Sequence, residues 1–493
     1  MTTAGTLPLR RRVDRRLLRW EARLETQTGD RYIPVVVAVG LAVVLATLGL
    51  ARVDDLAAGA DLAGYTQALW LLREGRRPEV TIFGGDHVLE LHWSLVLYGL
   101  APVSRLVDAA RLLVVLQAAA LGTAVLPLWR LARSVCRLRV GASTVLVVAY
   151  GLHPATWALG TVDFHPETLA VPALITVMYA GHARRWTLFW IAVALVLVCR
   201  ADLGLAVAAF GIVLLAGGER RAGLWALGVG SFWSLSLLLV MQPLVGDAEF
   251  AGGQYASYGG SLAEVVTTMV RHPDTVLRDL TAEENVDLLV ELLAPVIFLP
   301  LLAARQLLTA VPLLALYLLA DASGPSVLAE RSALLLPVVV VATAFALQRV
   351  GDLGVDRVFV DGRIQAAVVL ASALLFLTQS PASPYREPWR WSPDARDRAV
   401  LEAAALVPPE VPVRSSASGL VALAERPWLY PIRDDRAVTA SGLAARSRAI
   451  LLVEADDPLG DVDQRRRLFD DLARTGFQVV FGPEAGVTLL RRP

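Results

Sequence analysis

The chain has 493 residues, of which 55% are hydrophobic and 19% are charged, and its mean hydropathy is +0.54. Soluble domains carry about 25% charged residues, so this composition excludes an ordinary water-soluble protein. The 46 basic and 46 acidic residues cancel, and the chain lacks the basic excess with which proteins bind nucleic acid.

Apolar stretches long enough to enter a bilayer recur between residues 32 and 379 and then stop. They predict a polytopic α-helical membrane protein with about eleven transmembrane helices. The predicted spans lie near residues 33–51, 110–131, 140–158, 167–183, 187–199, 203–217, 222–243, 287–303, 306–320, 333–348 and 364–379.

Arginines set the predicted orientation, because basic connections stay in the cytoplasm. They cluster before residue 32 and in alternate connections, whereas the other connections are acidic. The basic connections contain Arg130, Arg133, Arg137, Arg139, Arg184, Arg185, Arg220, Arg221, Arg349, Arg357 and Arg363. We therefore expect a cytoplasmic N-terminus, and an odd number of spans places the C-terminal part outside.

Composition divides the chain into four parts. Residues 1–31 form a basic cytoplasmic tail, and residues 32–379 form the transmembrane part, with interfacial helices predicted in the outer segment 52–109. A linker rich in Pro and Ser covers residues 380–393. In residues 394–493 helical patterns alternate with short strand-like runs, which predicts a small extracytoplasmic α/β domain.

The first outer segment offers Asp61, followed by Tyr65 and Gln67, in a stretch where Leu62, Tyr65, Leu69 and Leu72 recur at helical spacing. A carboxylate with a phenol and an amide at the bilayer surface is suited to binding and activating a polar substrate. The alternative is structural, since Asp61 is also a good N-cap for a helix that starts at Leu62.

A second polar segment places Asp86, His87, Glu90 and His92 within seven residues. Carboxylates and imidazoles are ligands for divalent metals, and Asp86 with His87 is the predicted metal site. The spacing matches no closed metal motif, so a solvated loop is the alternative.

The third segment contains Asp163, His165 and Glu167, which share one side of an extended chain. Such a set can hold a cation or a sugar hydroxyl. Pro166 and Glu167 also fit an ordinary helix start, where a carboxylate meets the positive end of the dipole. The sequence leaves both interpretations open.

Two arginines lie at predicted outer positions, against the general distribution. Arg200 precedes Asp202 by two residues, and Arg331 follows Glu330. Internal ion pairs explain both, but an outward arginine at headgroup depth can also bind a lipid phosphate through two hydrogen bonds. Arg331 is the preferred phosphate ligand, since Asp202 is expected to occupy Arg200.

Several of these segments together resemble the bacterial plasma-membrane proteins of domain-of-unknown-function family 2079. The resemblance is carried by DLAGYTQALWLLREG, GDH, DFHPETLAVPAL, CRADLGL and VPPEVPVRSSASGLVALAERPWLYPI. That family is similar in fold to the GT-C glycosyltransferases, which take a sugar from a polyprenyl-phosphate donor on the outer leaflet and carry an essential acid in the first outer loop. Where family members tend to have an acid before the Asp of CRADLGL, this chain has Ala201.

The resemblance implies a membrane glycosyltransferase in which Asp61 is the leading catalytic candidate, with Asp54 and Asp55 as competitors. Asp61 would act as general base, and Arg200, Arg331 or a metal ion would stabilise the lipid phosphate. The alternative is a non-enzymatic protein that binds lipid-linked glycan or scaffolds envelope assembly. A transporter fits less well, because ionisable residues in mid-span and internal repeats are not evident.

Overall fold

Helices form most of the described chain, and their positions follow the apolar runs of the sequence. The computed structural model describes residues 25–236, 255–320, 332–354, 357–385, 392–432, 439–456 and 462–492. These residues fold as two compact units. The first unit lies within Met1–Leu45, Ala118–Leu159 and Glu167–Glu387, and the second lies within Ala46–Gln117, Gly160–Pro166 and Pro388–Pro493.

The bounds of the secondary structure are as follows. In chain order the α-helices are α1 Gln27–Asp54, α2 Ala60–Arg73, α3 Val88–His92, α4 Val96–Leu100, α5 Ala109–Thr123, α6 Val125–Arg130, α7 Val140–Leu152, α8 Pro154–Thr161, α9 Ala170–His182, α10 Trp186–Cys199, α11 Leu203–Ala216, α12 Arg220–Ser236, α13 Leu262–Arg271, α14 Pro273–Leu280, α15 Glu283–Leu293, α16 Ala304–Leu307, α17 Val311–Leu318, α18 Ser332–Val350, α19 Gly362–Gln379, α20 Ala395–Ala405, α21 Ala440–Ala444 and α22 Val462–Arg474. The strands are β1 Glu79–Val80, β2 Asp86–His87, β3 Asp352–Leu353, β4 Val358–Phe359, β5 Val413–Ser415, β6 Leu429–Pro431, β7 Ala449–Val453, β8 Gln478–Glu484 and β9 Val487–Arg491.

Within the described residues, three helical segments are long and apolar enough to cross a bilayer. They are Gln27–Asp54, Ala109–Val135 and Gly362–Gln379. The number rises to five if two bent helix pairs each form one span. These pairs are Val140–Leu152 with Pro154–Thr161, bent by 47°, and Glu283–Val296 with Leu299–Leu307, bent by 92°.

Other apolar helices are shorter than a bilayer requires. Helices α10 and α11 have 14 residues each, which rise about 21 Å against a hydrocarbon thickness of about 30 Å. Length and composition therefore support three to five spans among the described residues, and a total of about eleven stays a prediction.

Helices α11 and α12 pack so closely that glycine is required between them. A Cβ atom at Gly211 would lie 2.7 Å from the carbonyl oxygen of Gly223. Small residues of this kind let helix backbones approach each other inside membranes. The Ser234 hydroxyl also donates to the Ala201 carbonyl at 2.9 Å, so α12 is tied to the connection that carries Arg200.

In the second unit, the part of the outer segment that follows β2 is not one continuous helix. It forms α3, α4 and a 3₁₀ turn at Val103–Arg105. Helix α3 ends at His92, because the next residue, Trp93, has a left-handed φ of 50° that stops the helix. The left-handed residue Trp93 therefore separates α3 from α4.

The C-terminal residues form a five-stranded mixed sheet in the order β6-β5-β7-β9-β8. Strand β5 pairs in parallel with β6 and β7, whereas β9 pairs antiparallel with β7 and β8. Helices α21 and α22 cover it through a core of Leu443, Ile450, Leu468, Leu472, Phe477 and Leu490. These helices and strands agree with the alternating helical and strand-like segments predicted for residues 394–493, while a separate domain outside the membrane stays a prediction.

The second unit also joins this sheet to the segment after α1. The Thr81 hydroxyl donates to Leu429 O at 2.7 Å and accepts from Leu429 N at 2.9 Å, so it completes the edge of β6. Arg73 makes two hydrogen bonds to the Glu425 carboxylate, at 3.0 and 2.8 Å. Helix α2 is therefore held against the C-terminal region by side-chain hydrogen bonds.

Candidate functional site

Asp61 lies in the first turn of α2 and does not cap that helix. The helix begins at Ala60, one residue before Asp61, and the N-cap position is Gly59, which has no capping side chain. The prediction that Asp61 caps a helix starting at Leu62 is therefore wrong. Its carboxylate is left half exposed, with 50% of the side chain accessible.

Asp163 takes the capping role from another part of the chain. Its Oδ1 accepts a hydrogen bond from Gly59 N at 2.8 Å, and its Oδ2 accepts one from Asp61 N at 3.2 Å. These donors are among the N–H groups that a helix start leaves unpaired. A Cβ atom at Gly59 would lie 2.4 Å from Asp163 Oδ2, so the close approach requires glycine.

Gln117 fixes the segment that carries Asp163. This buried amide donates from Nε2 to Asp163 O at 3.0 Å and accepts at Oε1 from His165 N at 3.1 Å. The His165 Nε2 atom then lies 3.9 Å from Asp61 Oδ2. That distance is an ion-pair distance when the imidazole is protonated, so Asp61 and His165 form a carboxylate–imidazole pair.

Tyr65 and Gln67 lie inside the second unit. The Tyr65 ring makes edge contacts with Phe83 and Phe164, at centroid distances of 5.4 and 5.5 Å. Gln67 is fully buried and donates from Nε2 to Arg426 O at 3.1 Å. Their burial favours a structural role over the predicted contact with substrate.

The two competing acids have different surroundings. Asp54 accepts a hydrogen bond from Arg111 at 2.8 Å in an exposed ion pair. Asp55 is 4% exposed. Asp61 combines half exposure of its side chain with an imidazole nitrogen 3.9 Å away, whereas Asp54 is paired with Arg111 and Asp55 is buried.

The segment around His87 is a helix start. The His87 Nδ1 accepts from Leu89 N at 3.2 Å, and the Glu90 carboxylate accepts from His87 N at 3.3 Å, which together make a capping box around α3. Burial lowers the pKa of His87, and the nearby Arg77 guanidinium acts in the same direction.

The predicted metal ligands are arranged for this capping role. Asp86 is exposed on β2, and one His87 nitrogen is already used by the backbone. Throughout the described ranges no three His, Cys, Asp or Glu side chains group as metal ligands would. Asp86 and His87 do not fit a divalent ion in this arrangement. The metal site at these two residues stays an untested prediction.

A second polar cluster lies in the first unit and centres on Arg200. Its Nη1 donates to Glu167 Oε1 at 2.7 Å, and its Nε donates to both oxygens of Asp202 at 3.0 Å. The Tyr317 hydroxyl donates to Asp202 Oδ2 at 2.8 Å. Glu167 is fully buried and Arg200 is 6% exposed, so the charges are compensated inside the unit.

This cluster confirms the predicted pair of Arg200 with Asp202 and adds Glu167 to it. The helix-start interpretation of Glu167 holds for the backbone, since a 3₁₀ turn begins at Pro166. Its carboxylate, however, is committed to Arg200. Arg331, the other proposed phosphate ligand, lies outside the described residues.

Sequence reasoning missed Gln117, Gly59 and Tyr317. Gln117 is an isolated amide in the apolar helix α5, and a lone polar group in such a helix signals a fixed hydrogen-bond partner. Gly59 and Tyr317 carry no comparable signal, because their roles depend on partners more than 100 residues away.

The model of the DUF2079 family, described as predicted membrane protein, matches residues 52–485 of the chain. A search of curated proteins with this chain gives no match. The fold is similar to that of ArnT from Cupriavidus metallidurans bound to undecaprenyl phosphate, with a TM-score of 0.52, 12% identity, and coverage of 92% of this chain and 97% of ArnT. The apo state of ArnT gives a TM-score of 0.50 with the same identity and coverage. At this identity the likeness shows a shared fold.

Proposed function

Because the chain belongs to the DUF2079 family of predicted membrane proteins, we propose that it is a GT-C-type membrane glycosyltransferase. It transfers a sugar from a polyprenyl-phosphate donor to an acceptor of the cell envelope. The fold shared with ArnT supports this class, and the undecaprenyl phosphate bound to ArnT suggests the class of donor. The reaction takes place on the outer face of the bacterial plasma membrane, with the N-terminus in the cytoplasm and the C-terminal region outside.

The observation that carries the proposal is the half-exposed carboxylate of Asp61 with His165 Nε2 at 3.9 Å. Asp61 accepts the proton of the acceptor hydroxyl, and the hydroxyl oxygen attacks the anomeric carbon of the donor sugar. The bond from that carbon to the phosphate oxygen breaks, and polyprenyl phosphate leaves with the bonding electrons. His165 stabilises the Asp61 carboxylate when its imidazole is protonated.

The leaving phosphate needs a cation, and we assign this role to Arg331. Arg200 is the less suitable candidate because Glu167 and Asp202 already bind its guanidinium. An arginine presents a planar pair of donors that matches two phosphate oxygens.

A donor-turnover assay tests whether the protein is a transferase. Membranes that contain the protein are incubated with a panel of polyprenyl-phosphate sugars and with envelope glycans, and released polyprenyl phosphate is measured. We expect release with one donor only in the presence of acceptor. Donor binding without release, across donors and acceptors, would support a glycan-binding protein and contradict the transferase.

A further inference from the structure

Two arginine-bearing segments that lie far apart in sequence meet in the first unit. Leu138 forms a parallel bridge with Val358. Val358 N donates to Arg137 O at 2.9 Å, and Arg139 N donates to Val358 O at 3.2 Å. Both segments come from connections whose arginines predict a cytoplasmic position, and backbone pairing fixes them together.

A cavity of about 410 Å³ lies where they meet. It is lined by Arg133, Ser134, Arg137 and Arg357, and none of these lining residues is acidic. The Arg357 guanidinium donates to the Arg133 carbonyl, across 224 residues of sequence. Both segments therefore contribute residues to the wall of the cavity.

The positive charge of this cavity is only partly compensated. Arg133 makes hydrogen bonds to both oxygens of Asp30, at 2.9 and 3.1 Å, and lies 3.5 Å from Glu25. Arg357 binds a neutral carbonyl, so its charge is retained. Counting the lining residues and these two acids, Arg137 and Arg357 lack a carboxylate partner.

Arg137 is exposed, and its φ of 56° is left-handed. Its guanidinium has no ion pair or hydrogen bond with any residue that the structure describes. A left-handed conformation is uncommon for a residue with a Cβ atom and persists where the surroundings impose it. Here the hydrogen bond from Val358 N to Arg137 O imposes it and keeps the residue at the cavity.

We infer that this cavity binds a phosphate group, either on the headgroup of an anionic membrane lipid or as a free anion. Arg137 and Arg357 form no ion pair with a described carboxylate, and their guanidiniums, which come from separate segments, can each donate hydrogen bonds to phosphate oxygens. Basic residues at a cytoplasmic membrane surface also attract anionic lipids.

This site is distinct from the cluster around Arg200. The cavity lies next to the end of α18, and the His182 ring at the end of α9 packs 4.9 Å from Phe345 near that same end. Glu167 lies before the other end of α9, whose 13 residues rise about 20 Å. The inference is thus independent of the proposed transferase.

The test measures binding to the purified full-length chain in neutral detergent. The probes are dioctanoyl phosphatidic acid, dioctanoyl phosphatidylcholine and inorganic phosphate. We compare the wild type with Arg137→Gln, Arg137→Lys, Arg357→Gln and Arg221→Gln. Arg221 is exposed at the start of α12 and does not line the cavity, so it is the matched control for loss of one positive charge.

We expect phosphatidic acid to bind the wild type and Arg221→Gln equally, and phosphatidylcholine to bind neither. Arg137→Gln and Arg357→Gln should weaken binding about tenfold, the effect of one charge-assisted hydrogen bond, and Arg137→Lys should weaken it less. Inorganic phosphate binding as tightly, with the same dependence on arginine, would support the site and identify its ligand as a free anion.

Equal binding by wild type and Arg137→Gln would overturn the inference. So would an Arg221→Gln variant that loses as much affinity, because the attraction would then be a general effect of charge. Arg137 lies at the surface, so its replacement tests the site even where Arg357→Gln impairs folding.

Discussion

The carboxylate of Asp163 accepts a hydrogen bond from the backbone N–H of Asp61, although 102 residues separate them. One acid thereby caps the helix that carries the other. Because Asp163 satisfies the start of α2, the Asp61 side chain is released from capping and remains half exposed. The relationship gives Asp163 a positioning role at the start of the helix that carries Asp61.

Replacement of Asp163 by Ala should destabilise the protein by about 1–2 kcal/mol, since it removes a helix cap and leaves N–H groups unpaired. Asp163→Asn should cost less, because its side-chain oxygen still accepts a hydrogen bond. Thermal unfolding in detergent measures both. Equal stability of the Ala variant and the wild type would show that the cap contributes nothing.

Disruption of the Arg200 cluster should destabilise the protein more than loss of the Asp163 cap does. Arg200→Met leaves the buried Glu167 and the partly buried Asp202 without their cation, and breaking a buried ion pair costs about 3–5 kcal/mol. The exposed pair of Arg111 with Asp54 is the matched control, and Arg111→Met should change stability by less than about 1 kcal/mol. The folded yield and unfolding temperature of the two variants decide the comparison.

The capping box at His87 should be sensitive to acid. Its pKa is lowered in the folded state, chiefly by burial, so folding favours the neutral imidazole. The contribution to stability is present above the unfolded pKa of about 6.5 and is lost as the pH falls through the folded pKa. Protonation also removes the Nδ1 acceptor that caps Leu89 N.

Hydrogen exchange in the peptide that contains Leu89 should therefore quicken below about pH 6.5, after correction for the intrinsic rate. In His87→Asn, which keeps a capping oxygen and does not titrate, this increase should be absent. The same pH dependence in wild type and variant would assign the effect to another group.

Arg331→Lys should weaken donor binding while retaining the charge, because lysine cannot bind phosphate through two fixed donors. Arg331→Ala should weaken it further. Donor affinity measured for both variants tests the assignment. If neither variant changes the affinity while Arg200→Ala does in folded protein, Arg200 is the phosphate ligand.

Local patterns predicted local structure well in this chain. Short strand-like runs located the strands of the C-terminal sheet, and the two-residue separation of Arg200 and Asp202 was enough to predict their ion pair. The same patterns could not distinguish a cap from a functional acid at Asp61. The residue that takes the capping role, Asp163, approaches from a distant segment.

The sequence also did not predict which polar side chains of α2 are buried. Tyr65 and Gln67 follow Asp61 by four and six residues and have side chains that suit substrate binding. Both are buried because Phe83, Phe164 and the carbonyl of Arg426 pack against them. Such contacts depend on tertiary structure and leave no periodic signal.

The most direct test of the central claim compares Asp61→Asn with Asp54→Asn in the donor-turnover assay. Asp61 does not cap its helix, so Asp61→Asn should unfold within about 1 kcal/mol of the wild type. Release of polyprenyl phosphate should fall at least about 100-fold, as expected for loss of a general base. Asp54→Asn should keep normal release. Full release by Asp61→Asn would contradict the assignment of Asp61 as the catalytic base.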